Sequence, residues 1–227
     1  MGLKHLPFLL LICCIPVHSG EKDGDVFFSL ARSARCAAMP PADAVAYDAG
    51  GKDDARTLPD VLDGVPVLNL RRLNGPLGAA TVSMRGFQPK QTAVYLDDVR
   101  LPPDITGTLD LSVLPAGALG RLEVLPGGAS SLYGAGAEGG VLQLFTRRLS
   151  PGARLAEAGA SYGSYGWKDA ALKAGAAGRA ADVFVSGESA SYGGFQKNSA
   201  LDRDSAGGRA SAELGGAGRL SLTGHSY

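Results

Sequence analysis

From Ser150 to Tyr227 the chain alternates apolar and polar residues with a period of two, and the apolar residues are mainly small. The clearest alternation lies in residues 169–174, 209–214 and 219–223. This period predicts β-strands that have one apolar face and one polar or charged face. Short turns at one end of the strands and a longer polar loop at the other predict antiparallel hairpins. A membrane-spanning barrel and a soluble sandwich both show this pattern, so the alternation alone does not choose between them.

Residues 55–148 show a different pattern, in which short extended runs are separated by turn residues. Thr57 is placed to cap a short helix, and Gly64 is placed to end it. Strands are predicted at 65–70, 81–84, 92–99, 121–124 and 141–146, with helical turns at 111–119 and 130–133. Glycine is abundant at 33 residues and aromatic residues make up only 7%, which favours a turn-rich β protein over a helical bundle.

Gly134, Gly136 and Gly139 spell the GxGxxG pattern of dinucleotide-binding sites. That pattern holds a pyrophosphate where a strand precedes the glycines and a helix opens on the last of them. Here a short helical turn precedes the glycines, and the extended run 141–146 follows them. We therefore interpret the glycines as turns between strands, which disfavours a nucleotide-binding enzyme.

The N-terminus has the pattern of an export signal. Lys4 begins a short positive region, and the apolar stretch 6–17 that follows is too short to span a bilayer. Ser19 is small enough for a cleavage site before Gly20. Two adjacent cysteines at 13–14 leave a lipoprotein signal as an alternative.

The charged and reactive residues restrict the function further. The formal net charge is zero, which gives no indication of a nucleic-acid partner. After cleavage of the signal only Cys36 remains of three cysteines, so no intramolecular disulfide is predicted. The histidines at positions 5, 18 and 225 lie far apart in the sequence, and we predict neither a metal site nor a catalytic group.

The order of motifs between Leu58 and Arg148 resembles the plug domain of TonB-dependent outer-membrane receptors. Arg85-Gly86 corresponds to the IRG of that family, 95–99 (YLDDV) to LIDGV, and 109–115 to DLSxxP. The family then typically reads (V/I)ERIEVLRGPASALYGSGAIGGVINIITK. The residues that match this pattern in order are Arg121, Glu123, Val124, Gly127, Ala129, Ser130, Leu132, Tyr133, Gly134, Ala137, Gly139, Gly140, Val141 and Thr146.

The resemblance implies an α+β plug domain, with a small mixed sheet and short helices, followed by the first antiparallel strands of a transmembrane β-barrel. It implies a receptor in the outer membrane, not an enzyme, and no cofactor. In this family the periplasmic energy protein TonB pulls on a short N-terminal box by strand pairing. The implied ligand is a scarce metal chelate. The register between Arg85 and Arg100 is closest to the cobalamin receptors, and a siderophore receptor is the alternative.

The same resemblance implies positions for the functional residues. The loops 79–81, 87–91 and 104–108 are expected to face outward, and the candidate ligand contacts in them are Thr81, Gln88, Ile105 and Thr106.

Two further kinds of contact are implied. Arg85 and Arg121 are candidate contacts between the plug and carboxylates of the barrel wall. Val26, Phe27 and Phe28 form the candidate TonB box, and the alternative is that they belong to the first strand of the plug.

Four positions depart from the family pattern. Pro126 replaces an arginine, Gly128 replaces a proline, and Asp98 stands where glycine is usual. Glu138 stands where an apolar residue is usual, and a buried carboxylate without a partner would cost several kcal/mol. A place in a hydrated gap between the plug and the wall is the alternative for Glu138.

These observations predict four regions: a signal peptide at 1–19, a segment with the candidate TonB box at 20–54, the plug at 55–148, and the beginning of the barrel at 149–227. A barrel of about 22 strands needs at least ~220 residues, whereas the 79 residues after Arg148 provide about five strands. An open sheet leaves unpaired edges that a bilayer does not tolerate. We therefore expect a fragment of a longer receptor, and a secreted, stand-alone plug-like binding module is the alternative.

Overall fold

The computed structural model describes residues 26–33, 45–48, 57–114, 116–214 and 219–226. The predicted signal peptide lies outside the described residues. The first eight strands are β1 Val26–Ser33, β2 Val45–Asp48, β3 Leu68–Arg72, β4 Ala80–Met84, β5 Thr92–Leu96, β6 Val99–Arg100, β7 Leu119–Pro126 and β8 Gly140–Thr146. The next five are β9 Arg154–Tyr162, β10 Lys168–Ala177, β11 Ala181–Tyr192, β12 Leu201–Glu213 and β13 Arg219–Ser226. The helices are α1 Leu58–Leu62 and α2 Ser130–Tyr133, and 3₁₀ turns lie at Pro89–Gln91, Leu111–Val113, Ala116–Ala118 and Ser164–Gly166.

Five strands form a mixed sheet in the order β2-β7-β8-β5-β6, which we call the plug sheet. Strands β5 and β8 are parallel, and the other neighbours are antiparallel. Leu122, Val124, Leu142 and Leu144 are completely buried at its centre, where alternate residues of two central strands pack against α1 and the β3–β4 hairpin. The expectation of a small mixed sheet with short helices is confirmed.

Six strands form a second, entirely antiparallel sheet in the order β1-β13-β12-β11-β10-β9, which we call the wall sheet. Strands β9 to β13 are consecutive hairpin neighbours, as the alternation predicted. Strand β1 lies at the edge and pairs with β13, with Val26 opposite Ser226 and Phe28 opposite Gly224.

Two predicted strands differ from the observed ones. Strand β3 starts at Leu68, because the Val65 amide donates to the Leu62 carbonyl (3.0 Å) and continues the turn after α1. The predicted strand 92–99 is instead a hairpin, with Leu96 opposite Val99. Asp97 and Asp98 form its two-residue turn with φ of +47° and +69°, the combination that defines a type I′ turn.

The glycine-rich segment joins β7 to β8, as predicted. Gly140 is required by space and conformation, because φ is +148° and a Cβ there would lie 2.5 Å from the Met84 sulfur and 2.6 Å from the Leu125 carbonyl oxygen. Pro126 is the last residue of β7, where one missing amide is tolerated. The Glu138 carboxylate is half-buried and accepts a hydrogen bond from the Gly136 amide (3.1 Å), so it has a polar partner.

Candidate functional site

Three exposed cations surround the glycine-rich turns at the end of the plug sheet where β5 and β8 begin. The Arg100 guanidinium lies beside Gly136, and the Arg85 guanidinium lies beside Gly127. Lys90 packs its side chain against Gly107 of the neighbouring loop. The chain leaves β8 toward the wall sheet at the opposite end of the plug sheet. These three cations outnumber the Glu138 and Asp104 carboxylates that lie beside them, so the end where β5 and β8 begin presents a net cationic surface, which favours contact with anionic groups.

The loop 104–108 beside Lys90 is ordered by one carboxylate. Asp104 accepts hydrogen bonds from the Thr106 hydroxyl (2.6 Å), the Thr106 amide (2.8 Å) and the Thr108 amide (3.0 Å). The Thr106 hydroxyl bond contributes most to lowering the pKa of Asp104 below its usual value. The loop holds Ile105 completely exposed at its tip.

The structure brings three of the four candidate ligand residues into this region. Gln88 is exposed and starts the 3₁₀ turn that contains Lys90, while Ile105 and Thr106 lie in the adjacent loop. Thr81 lies on β4 opposite Arg71, in the β3–β4 hairpin, and is half-buried. The Thr106 hydroxyl already bonds within its own loop. A role of these residues in ligand binding stays a prediction.

The candidate arginine contacts to the barrel wall both stay exposed in this chain. The Arg121 side chain is 55% exposed and forms an ion pair with Glu123 (2.5 Å). Its guanidinium also lies 4.8 Å from the centre of the Phe145 ring, a cation–π contact. Both contacts lie within the plug, and contact of Arg121 with a wall carboxylate stays a prediction.

A buried charge pair that the sequence analysis missed joins the two sheets. Asp97, in the β5–β6 turn, lies 2.9 Å from the Arg209 guanidinium of β12, and the two side chains are only 7% and 2% exposed. The Asp97 carboxylate also accepts hydrogen bonds from the Thr146 amide (3.0 Å), the Thr146 hydroxyl (2.6 Å) and the Thr223 hydroxyl of β13 (3.2 Å). The sequence signal for this pair was a basic residue, Arg209, among the alternating residues of β12. Its partner Asp97 is distant in sequence, so the pair could not be recognised from the sequence.

Two further contacts attach the plug to the wall sheet. Arg203 of β12 donates to the Ser112 carbonyl (2.6 Å) and to Glu188 of β11 (2.7 Å). Next to Arg203, which lies opposite Ala190 in the sheet register, Leu77 of the plug packs in an apolar cluster with Trp167, Ala190, Tyr192 and Leu201. The interface thus combines charged and apolar contacts.

The wall sheet buries its polar face and exposes its apolar face, which is the reverse of a water-soluble sheet. The face toward the plug is buried and mainly polar, with Asp182, Ser186, Ser205, Arg209, Ser211, Ser221, Thr223 and His225 at most 9% exposed. The outer face exposes apolar residues, including Leu172, Val183, Val185, Leu220 and Leu222. A soluble antiparallel sheet buries its apolar face instead.

Two features are absent from the described residues. None of the helices there has the length and hydropathy that a membrane-spanning helix needs. In the same part of the chain, no three histidine, cysteine, aspartate or glutamate side chains are grouped as metal ligands.

Comparisons with known proteins give a consistent relationship. Residues 41–141 match the family model described as the TonB-dependent receptor plug domain. The vitamin B12 transporter BtuB of Photobacterium profundum is 33% identical over 114 residues. This match covers 50% of the chain but only 18% of the transporter.

Similar solved structures extend the likeness into the wall sheet. The siderophore receptor PirA from Pseudomonas aeruginosa aligns with a TM-score of 0.59 at 19% identity, over 82% of this chain and 36% of the receptor. The copper transporter OprC aligns with a TM-score of 0.62 at 17% identity, over 81% of this chain and 31% of the transporter. These values show a shared fold, and the chain spans about a third of each structure.

Proposed function

We propose that this chain, in which residues 41–141 match the TonB-dependent receptor plug domain and antiparallel wall strands follow, is part of an outer-membrane receptor for TonB-powered uptake of a metal chelate. The observation that carries the proposal is the sidedness of the wall sheet. Its polar face covers the plug, while its exposed face is apolar. A water-soluble binding module has no reason to expose such a face, whereas a strand that borders hydrocarbon requires one.

Cobalamin is the ligand that we propose first. Its support is the relative named a vitamin B12 transporter, which is 33% identical over 114 residues.

An anionic siderophore complex is the second candidate, and a specific observation favours it. Arg85, Lys90 and Arg100 expose positive charge around the glycine-rich turns. Positive charge there attracts a ferric catecholate chelate electrostatically, but it attracts neutral cyanocobalamin much less. One structural neighbour is the ferric enterobactin receptor PfeA from Pseudomonas aeruginosa, which aligns with a TM-score of 0.59.

The proposed energy partner is a TonB-type periplasmic protein. We propose Val26, Phe27 and Phe28 as its binding segment. Their backbone is already extended in β1, at the edge of the wall sheet. An edge strand offers unpaired backbone groups to a further strand, which is the pairing that TonB recognition requires.

Expression of the whole receptor that contains this chain, in a Gram-negative host, tests the location and the ligand together. We expect this receptor in the outer-membrane fraction, and we expect membranes that contain it to bind cyanocobalamin above control membranes. Preferential binding of ferric enterobactin that weakens with added salt would transfer the assignment to an anionic siderophore. A monomeric, soluble periplasmic product would contradict the membrane receptor.

A further inference from the structure

The contact between Asp97 and Arg209 connects the plug to the wall sheet, and we call it the joint. Asp97 belongs to the plug sheet and Arg209 to the wall sheet, and their charged atoms lie 2.9 Å apart in a nearly dry interface. We propose that this ion pair holds the plug against the wall sheet and must break whenever the plug is released. The inference does not depend on the identity of the transported ligand.

The plug half of the joint is fixed by its own sheet. Thr146, at the end of β8, donates two hydrogen bonds to the Asp97 carboxylate, from its amide (3.0 Å) and its hydroxyl (2.6 Å). Because these bonds lie within the plug, they persist when the plug and the wall sheet separate. The carboxylate is therefore held in place for docking without help from the wall.

The wall half is supplied by two neighbouring strands. Arg209 provides the charge from β12, and the Thr223 hydroxyl of β13 donates to the same carboxylate (3.2 Å). These two residues are directly opposite each other in the sheet register. A pair of strands therefore presents one cation and one hydroxyl to a single acceptor. Removing one partner of a buried pair leaves the other charge uncompensated, which is strongly destabilising.

The chain contains a reporter that distinguishes docking from folding. Trp167 is the single tryptophan, it is 5% exposed, and it packs with Leu77 of the plug. Separation of the plug from the wall sheet removes Leu77 from this cluster and exposes the indole. Quenching of tryptophan fluorescence by acrylamide therefore measures docking, while hydrogen exchange of the β7 and β8 amides measures the integrity of the plug.

The test uses the full chain in detergent micelles, titrated with urea. For Asp97→Asn and for Arg209→Met we expect Trp167 to become accessible at lower urea, with the undocked population raised about a hundredfold at a fixed concentration. Protection of the β7 and β8 amides should persist beyond this transition. The double variant should undock less readily than two independent effects predict, because each single variant already breaks the same pair.

Arg147→Gln is the matched control, because it removes a partly exposed ion pair to Glu157 (3.7 Å) that also links the plug segment to the wall sheet. We expect no measurable shift from it. Thr223→Val keeps both charges and should shift Trp167 accessibility in the same direction by a smaller amount, which preserves the test if a charge variant fails to fold. Simultaneous loss of Trp167 burial and amide protection would overturn the proposal, as would unchanged accessibility in all three variants.

Discussion

Replacement of Val185 by arginine should destabilise the chain in a phospholipid bilayer, although the position is on the surface of the structure. Val185 is 51% exposed on the outer face of β11, which begins at Ala181. At a rise of ~3.4 Å per residue and a tilt of about 40°, Val185 lies roughly 10 Å above the start of the strand. It is therefore near the middle of an apolar band about 25 Å tall, where an arginine costs about 2–4 kcal/mol.

Ser189→Arg is the matched control on the same strand and the same face. Ser189 is exposed and lies about 20 Å above Ala181 by the same calculation, near the boundary of the band, where the cost falls to about 0–1 kcal/mol. The assay is reversible urea unfolding, in phospholipid vesicles, of the receptor that contains this chain, followed by far-UV circular dichroism, because an open sheet alone has edges that a bilayer does not tolerate. On a water-exposed surface both substitutions should change the free energy of unfolding by less than about 0.5 kcal/mol. Equal effects of the two variants would therefore refute the assignment of the outer face to lipid.

Three further predictions concern the plug, and urea unfolding of each variant measures them. Asp98→Gly should stabilise the folded chain by about 0.5–1 kcal/mol, because glycine relieves the positive φ of the type I′ turn at some cost in unfolded-state entropy; a lower midpoint would contradict this. Gly140→Ala should destabilise by about 2–4 kcal/mol because its Cβ meets packed atoms, whereas Gly86→Ala, with open space around it, should cost only about 1 kcal/mol. Burial alone raises the pKa of Asp60, but hydrogen bonds from Arg72 and Thr57 outweigh it and lower the pKa. The resulting stabilisation is complete above the unfolded pKa of about 3.9 and is lost as the pH falls through the folded pKa. Asp60→Asn should therefore make the free energy of unfolding depend less on pH below pH 4. An unchanged pH dependence in this variant would contradict the ion pair.

Local chemistry made much of the plug predictable. Thr57 and Asp60 carry the hydrogen bonds that start α1, with the Thr57 amide 2.8 Å from the carboxylate. The glycine segment was correctly predicted as turns between strands, because positive φ and close backbone approach depend on the residues themselves. The hairpin at Asp97 and Asp98 was missed because aspartates signal a type I′ turn more weakly than Asn-Gly does.

The candidate site was predictable only in part. The loop 104–108 and the turn that starts at Gln88 were expected near the ligand, and the structure places them side by side. The cationic surface was missed, because Arg100 returns toward Lys90 only through the β5–β6 hairpin, which the sequence analysis predicted as a single strand.

The sequence by itself determined the alternation of the wall strands, the positions of the plug turns and the order of motifs that carries the family resemblance. Each depends on residues close together in the chain, where backbone preference and side-chain periodicity act directly. Only the tertiary structure decided which face of the wall strands is inward, because a period of two is identical for both faces. It also decided that Asp97 pairs with Arg209, since a contact across more than a hundred residues exists only after both sheets have formed and packed together.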